Sequence, residues 1–204
     1  MTGTRIRVLP MGERALLVET GAPASVAELV RESLGHVIED VVPAAATVLV
    51  RFRESPPEDI ATRLIGIVTS AAGRQRSPVR VVELGVRYDG EDLAEVATSV
   101  GLTVDEVIDL HTAAEHRVDF CGFAPGFAYL GGLPDALRLP RRATPRVRVP
   151  AGSLAIAAGY SAVYPTASPG GWHLLGTTSV AVWDIDRDPP SLLEPGDVVR
   201  FRAL

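Results

Sequence analysis

Apolar positions in the first 86 residues alternate between two spacings. Arg5 to Leu9 and Ala15 to Glu19 read as short strands parted by Pro10 and Gly12. Val26, Leu29, Val30 and Leu34 recur every three to four residues, which predicts a helix over 24–34 stopped by Gly35. The β-branched runs Val37 to Val42 and Thr47 to Phe52, split by Pro43, predict two further strands. Pro57 sits inside the start of a second helix with Ile60, Leu64, Ile65 and Val68 on one face, and Gly73 lies beyond its end. Pro78 precedes a closing strand, Val79 to Val86. The order is β-α-β-β-α-β with an extra hairpin in front, a ferredoxin-like domain over residues 1–86.

Beyond residue 86 the pattern changes, which places a domain boundary there and a second domain over 87–204. Leu93 to Val100 and Val104 to Leu110 read as two short helices separated by Gly101, with Asp89 and Thr103 as capping candidates. Thr103 and Glu106 fit a capping box. After His116 the helical period disappears. Short β-prone runs follow at Arg117 to Phe120, Phe127 to Leu130, Arg146 to Val149, Leu154 to Ala157, Ser179 to Trp183 and Val198 to Phe201, divided by Gly and Pro. Many short strands with frequent turns predict a barrel or sandwich.

Composition removes several function classes. All 20 basic residues are arginine, so a P-loop lysine, a Schiff-base lysine and a biotin-carrying lysine are excluded within this chain. A net charge of −5 argues against nucleic-acid binding. Cys121 is the single cysteine and forms no internal disulfide, and no apolar run is long enough for a signal peptide or membrane span. A cytoplasmic, soluble protein is the expectation.

Three stretches carry candidate chemistry. Gly122 to Pro134 packs glycines, prolines and aromatics into a sharply folded loop. It reads either as a holder of an anion or planar ligand, or as a long turn whose aromatics cap the core. Ser168-Pro169-Gly170-Gly171-Trp172 forms a tight turn beside an aromatic that roofs a pocket or anchors the barrel. Arg138, Arg141, Arg142, Arg146 and Arg148 cluster, and Arg146 and Arg148 leave one face of a predicted strand, an arrangement suited either to carboxylate or phosphate capture or to a solvated face. His111, Glu115 and His116 are spaced HxxxEH, which matches no zinc motif, so no metal is expected. Ser161 lacks the closing glycine of a nucleophile elbow, and Cys121 sits in a β-prone run as a small buried hydrophobe.

The motifs GFAPGFAYLGGLP, PRRATPRVRVPAGS, YPTASPGGW and EPGDVVRF, in this order, resemble one family. It is known as the B-type subunit of 5-oxoprolinase, as allophanate hydrolase subunit 1, or as an inhibitor of a sporulation histidine kinase. The resemblance runs from the GERALLVE segment to the C-terminus. It implies a ferredoxin-like N-terminal domain and a cyclophilin-like C-terminal β-barrel. It also implies a second cyclophilin-like barrel partner (the C-type subunit of 5-oxoprolinase), a third subunit, and ATP-dependent hydrolysis of 5-oxo-L-proline to L-glutamate by the complex. ATP is used by that complex, and the chain alone is expected to bind no cofactor and to be inactive. The alternatives are a regulator that binds a histidine kinase, a urea- or allophanate-type amidohydrolase or carboxyltransferase subunit, and a binding module without catalysis.

Carried over by motif, Gly122, Phe123, Pro125, Gly126, Phe127 and Tyr129 line a substrate cleft with Arg141, Tyr164, Ser168, Pro169, Gly170, Gly171 and Trp172. His111, Arg146 and Arg148 are the catalytic candidates. The chain departs from the family pattern at Tyr160, Ser161 and Ala162, where Gln-Thr-Gly is usual, and at Gly176 to Ser179, where Gly-Arg-Thr-Pro is usual.

Overall fold

A computed structural model describes residues 6–71 and 80–204 of the chain. The expected features at Arg5, Gly73, Pro78 and Val79 lie outside these residues. The chain divides into two compact units, residues 1–78 and 79–204.

In the first unit, β1 (Arg7–Pro10) and β2 (Ala15–Glu19) form the front hairpin, α1 (Pro23–Leu34) follows, and β3 (Ile38–Pro43), β4 (Thr47–Phe52) and α2 (Ile60–Ala71) complete it. Pro23 begins α1, where its missing N–H costs nothing. Val48, Val50 and Phe52 alternate inward along β4 and meet Val26, Val30 and Leu34 of α1 and Ile60, Leu64 and Val68 of α2 in one core. The strand order is β1-β2-β4-β3, antiparallel throughout.

The strand expected to close this sheet does not join it. β5 (Val81–Val86) runs parallel to β13 (Val198–Ala203) along its whole length and belongs to the second unit. The division of the chain therefore precedes β5 instead of following residue 86, because six paired positions fix a strand where its partner lies.

The second unit continues with α3 (Leu93–Val100), α4 (Val104–Ala113), β6 (His116–Cys121), β7 (Ala128–Gly131), β8 (Arg146–Val149), β9 (Ser153–Ala157), β10 (Tyr160–Val163), β11 (Ser168–Gly170) and β12 (His173–Thr177). Seven strands form one sheet in the order β12-β9-β10-β7-β6-β13-β5. Its two edges meet where Arg87 and Thr177 exchange backbone hydrogen bonds of 2.9 and 2.8 Å, so the sheet curls into a nearly closed barrel. β9 is buried on both faces: Leu154 and Ile156 join the core beneath α3 and α4, whereas Ala155 and Ala157 join a second, aromatic core. The run Ser179 to Trp183 forms no strand, only a single bridge from Trp183 to Ser191.

Helix ends follow their sequence signals at Gly101 and Thr103 but not at Asp89 or Pro57. Asp92 stands at the N-terminal boundary of α3 without a side-chain cap bond, and α2 begins at Ile60, after Pro57. Gly101 closes α3 with a left-handed φ of 72°. Thr103 and Glu106 form the reciprocal capping box of α4. Thr103→Ala is expected to cost about 1 kcal/mol, read as a lower urea midpoint at unchanged slope. Both tryptophans, Trp172 and Trp183, lie in the second unit, so fluorescence reports its unfolding.

Candidate functional site

Three of the sequence motifs converge. The loop between β6 and β7 turns through left-handed positions at Phe123 (φ 71°) and Gly126 (φ 75°). A side chain on Gly126 would also collide with Trp183, so glycine is required there on two counts. Phe127, carried inward by this loop, meets Tyr164 and Trp172 edge to face at 5.3 and 5.7 Å. Phe123 packs on Phe127 at 5.1 Å yet remains 64% exposed. The ribbon β8–β11 joins the other two motifs, with Ser168 opposite Val149 and Gly170 opposite Arg146. Gly170 passes so close to the Tyr164 hydroxyl that any side chain there would clash. Burial pushes the Tyr164 phenol up, and the charge of nearby Arg141 opposes it.

Beside this aromatic core lies a cluster of charges. Asp92, at the start of α3, is buried, its side chain 3% exposed. Its carboxylate does not cap the helix. Oδ1 accepts from Arg142 Nη1 and Arg146 Nη2, both at 2.7 Å, and Oδ2 accepts from the Leu174 amide at 2.8 Å. Burial would raise the Asp92 carboxyl, but the bonds from Arg146 and Leu174 and the charges of both arginines hold it below its ordinary value. This knot ties α3 to β8, to the segment before β8 and to β12.

Residues 6–193 match the family of the carboxyltransferase domain, subdomain C and D. A protein of Escherichia coli O157:H7, named as the B-type subunit of 5-oxoprolinase, is 40% identical over 97% of this chain and 95% of its own length. The chain belongs to the 5-oxoprolinase B-type family. The relative of the same name in Bacillus subtilis (strain 168) is 43% identical, over 72% of this chain and 61% of that protein. Among solved structures, TTHA0988 superposes with a TM-score of 0.76 at 39% identity, covering 94% of this chain and 40% of that one. The Kluyveromyces lactis urea carboxylase shares the fold at TM-score 0.73 and 20% identity, over 98% of this chain and 22% of that one.

In this member of the 5-oxoprolinase B-type family the catalytic candidates separate. Arg146 is anchored to Asp92, and its neighbour Glu91 lies 3.3 Å away. Arg148 is exposed without an ion-pair partner among the described residues, and Val147 between them is 91% exposed. His111, on α4, belongs to the other core. Its Nδ1 pairs with the Tyr88 hydroxyl at 2.8 Å and its Nε2 with Ser161 Oγ at 3.0 Å, and the ring has no exposure. It lies 4.6 Å from the His116 ring and 4.9 Å from Phe201, and makes no bond to either arginine. Burial drives His111 well below the usual histidine range, assisted by the charge of His116. Burial likewise pushes the Cys121 thiol up to about 11, where little nucleophilic thiolate exists. Among the described residues no His, Cys, Asp and Glu side chains gather as a metal site, and no helix is long and apolar enough to cross a membrane.

Asp92 and Tyr88 carry no sequence signal as site residues, and Arg142 is named there only within the arginine cluster. Asp89 and Arg141 are close neighbours with the same chemistry, and the fold alone selects between them. Asp89 instead accepts a hydrogen bond from the exposed Thr177 hydroxyl at 2.9 Å.

Proposed function

We propose that this chain is a non-autonomous subunit of an ATP-dependent 5-oxoprolinase that hydrolyses 5-oxo-L-proline to L-glutamate. The observation that carries the reading is end-to-end similarity, at 40% identity, to a protein named as the B-type subunit of that enzyme. The geometry agrees with a supporting role in the chemistry. The loop of Gly122, Phe123, Pro125, Gly126 and Phe127, the β8–β11 ribbon and the arginines offer backbone amides and fixed positive charge. Groups of that kind stabilise a polarised oxygen.

The chemistry asks for such groups. A lactam is a poor electrophile, and phosphorylating its oxygen with ATP makes attack by water feasible. The ATP site, the second barrel partner of C type and the third subunit are assigned to the rest of the complex. Arg141 and Arg148, exposed beside the aromatic core, are read as substrate-facing, with Tyr129, Tyr164, Ser168, Pro169, Gly171 and Trp172 shaping the cleft. The first unit is read as a ferredoxin-like variant in which β1 takes the sheet edge left by the departed closing strand.

The test is ATP-dependent conversion of 5-oxoproline to glutamate in lysate of the native host. Deletion of the gene is expected to abolish it and addition of the purified chain to restore it. Unchanged conversion in the deletion strain overturns the reading. In the restored lysate, Arg148→Ala is expected to cut turnover at least tenfold while leaving the unfolding midpoint unmoved, because the side chain is exposed and unpaired.

A further inference from the structure

The charge cluster holds more cationic donor capacity than the protein uses. One buried carboxylate, Asp92, serves two guanidinium groups, which leaves one positive charge in excess. Among the described residues that excess is met only at the rim. Glu95 lies 3.0 Å from Arg142 and Glu91 3.3 Å from Arg146, and their side chains are 59% and 76% exposed. Exposed pairs of this kind are weak and exchange readily with other ions. Two guanidinium nitrogens, Arg142 Nε and Arg146 Nη1, are closed off from solvent and have no acceptor among the described residues. Covered donors without acceptors are uncommon, and an arriving acceptor that reaches them is favoured.

We propose that Arg142 and Arg146 form a binding site for an oxyanion group, carboxylate or phosphoryl, held closed in the unliganded chain by Glu91 and Glu95. The arriving anion displaces the two glutamates. Asp92 stays in place and keeps both guanidinium forks in position. Planar forks of fixed orientation suit an anion with two or more oxygens. Both arginines are set by the ribbon: Gly170 lies opposite Arg146, and the Gly171 carbonyl accepts from the Arg142 amide at 2.7 Å. The function proposed above enters only in naming the natural ligand, since 5-oxoproline supplies a carboxylate and its phosphorylated form a phosphoryl group. The site itself rests on the cluster.

The test measures anion binding to the purified full chain at constant ionic strength, with inorganic phosphate and acetate as probes, followed through the arginine Nε–H resonances. Glu91→Gln/Glu95→Gln is expected to bind about two- to thirtyfold more tightly than wild type, the worth of two exposed ion pairs. Arg142→Gln is expected to lose binding. Tighter phosphate than acetate binding identifies a phosphoryl site, and the reverse a carboxylate site. Equal affinity in the wild type and the double glutamine variant, absence of binding in both, or binding that survives Arg142→Gln overturns the proposal. None of these readouts uses turnover, so loss of the oxoprolinase reading and loss of this site are told apart.

Discussion

Replacing His111 with alanine is expected to lower the unfolding free energy of the second unit by about 3–5 kcal/mol. The imidazole is fully buried between Tyr88, Ser161, His116 and Phe201. Truncation opens a cavity and leaves the Ser161 hydroxyl buried without its imidazole partner. A pH effect accompanies it. Burial holds His111 and His116 below their ordinary value near 6.5. Above pH 6.5 both the folded and unfolded chains carry neutral rings, so the contribution is complete. Below it the unfolded chain takes up protons that the folded core refuses, and stability falls by up to about 1.4 kcal/mol per pH unit for each ring. Urea unfolding followed by tryptophan fluorescence between pH 7.5 and pH 5 checks both points: a lower midpoint at neutral pH and a shallower acid slope for His111→Ala. An unchanged slope would show that the ring is protonated in the folded chain.

Removal of Asp92 is expected to have the next largest effect. Asp92→Ala leaves Arg142 and Arg146 facing each other without their shared carboxylate and frees the Leu174 amide. The expected loss is about 3 kcal/mol, moderated because the two arginine side chains keep 26% and 21% of their exposure. Asp92→Asn is expected to cost less, since its amide oxygen can still accept from Leu174. The acid limb is distinct from that of the histidines. The carboxyl sits below its ordinary value of 3.8, so its contribution is full above that pH and is lost only as pH falls through the lowered folded value. Fluorescence-detected unfolding of the two variants at pH 7 and pH 3 separates them, with the difference from wild type expected to shrink at the lower pH. A difference of the same size at both pH values would show that charge plays no part.

Local signals proved legible wherever neighbours in sequence are also neighbours in space. The α1 face, the Thr103–Glu106 box, the left-handed Gly101 and the β8 run of Arg146 to Val149 are each set by backbone geometry within a few residues. The strands β10 and β12 went unread, since Tyr160-Ser-Ala-Val and His173-Leu-Leu-Gly-Thr have too little alternation to stand out. The run Ser179 to Trp183 is β-prone yet forms no strand: Val182 alone enters the core, Val180 and Ala181 stay exposed, and Trp183 makes a single bridge to Ser191.

The order of motifs along the chain, the absence of lysine and the family resemblance are properties of the amino-acid sequence alone. Tertiary structure alone decided that β5 pairs with β13, more than a hundred residues away, and not with the first sheet. It also decided that Asp92, not Asp89, gathers Arg142 and Arg146, and that His111 faces Ser161 inside a core and not the arginines. Each of these is a contact between residues at least fifty positions apart. Propensity and periodicity carry information over a single turn or hairpin, whereas such pairings are chosen by which faces the whole sheet buries and which charges it must then neutralise.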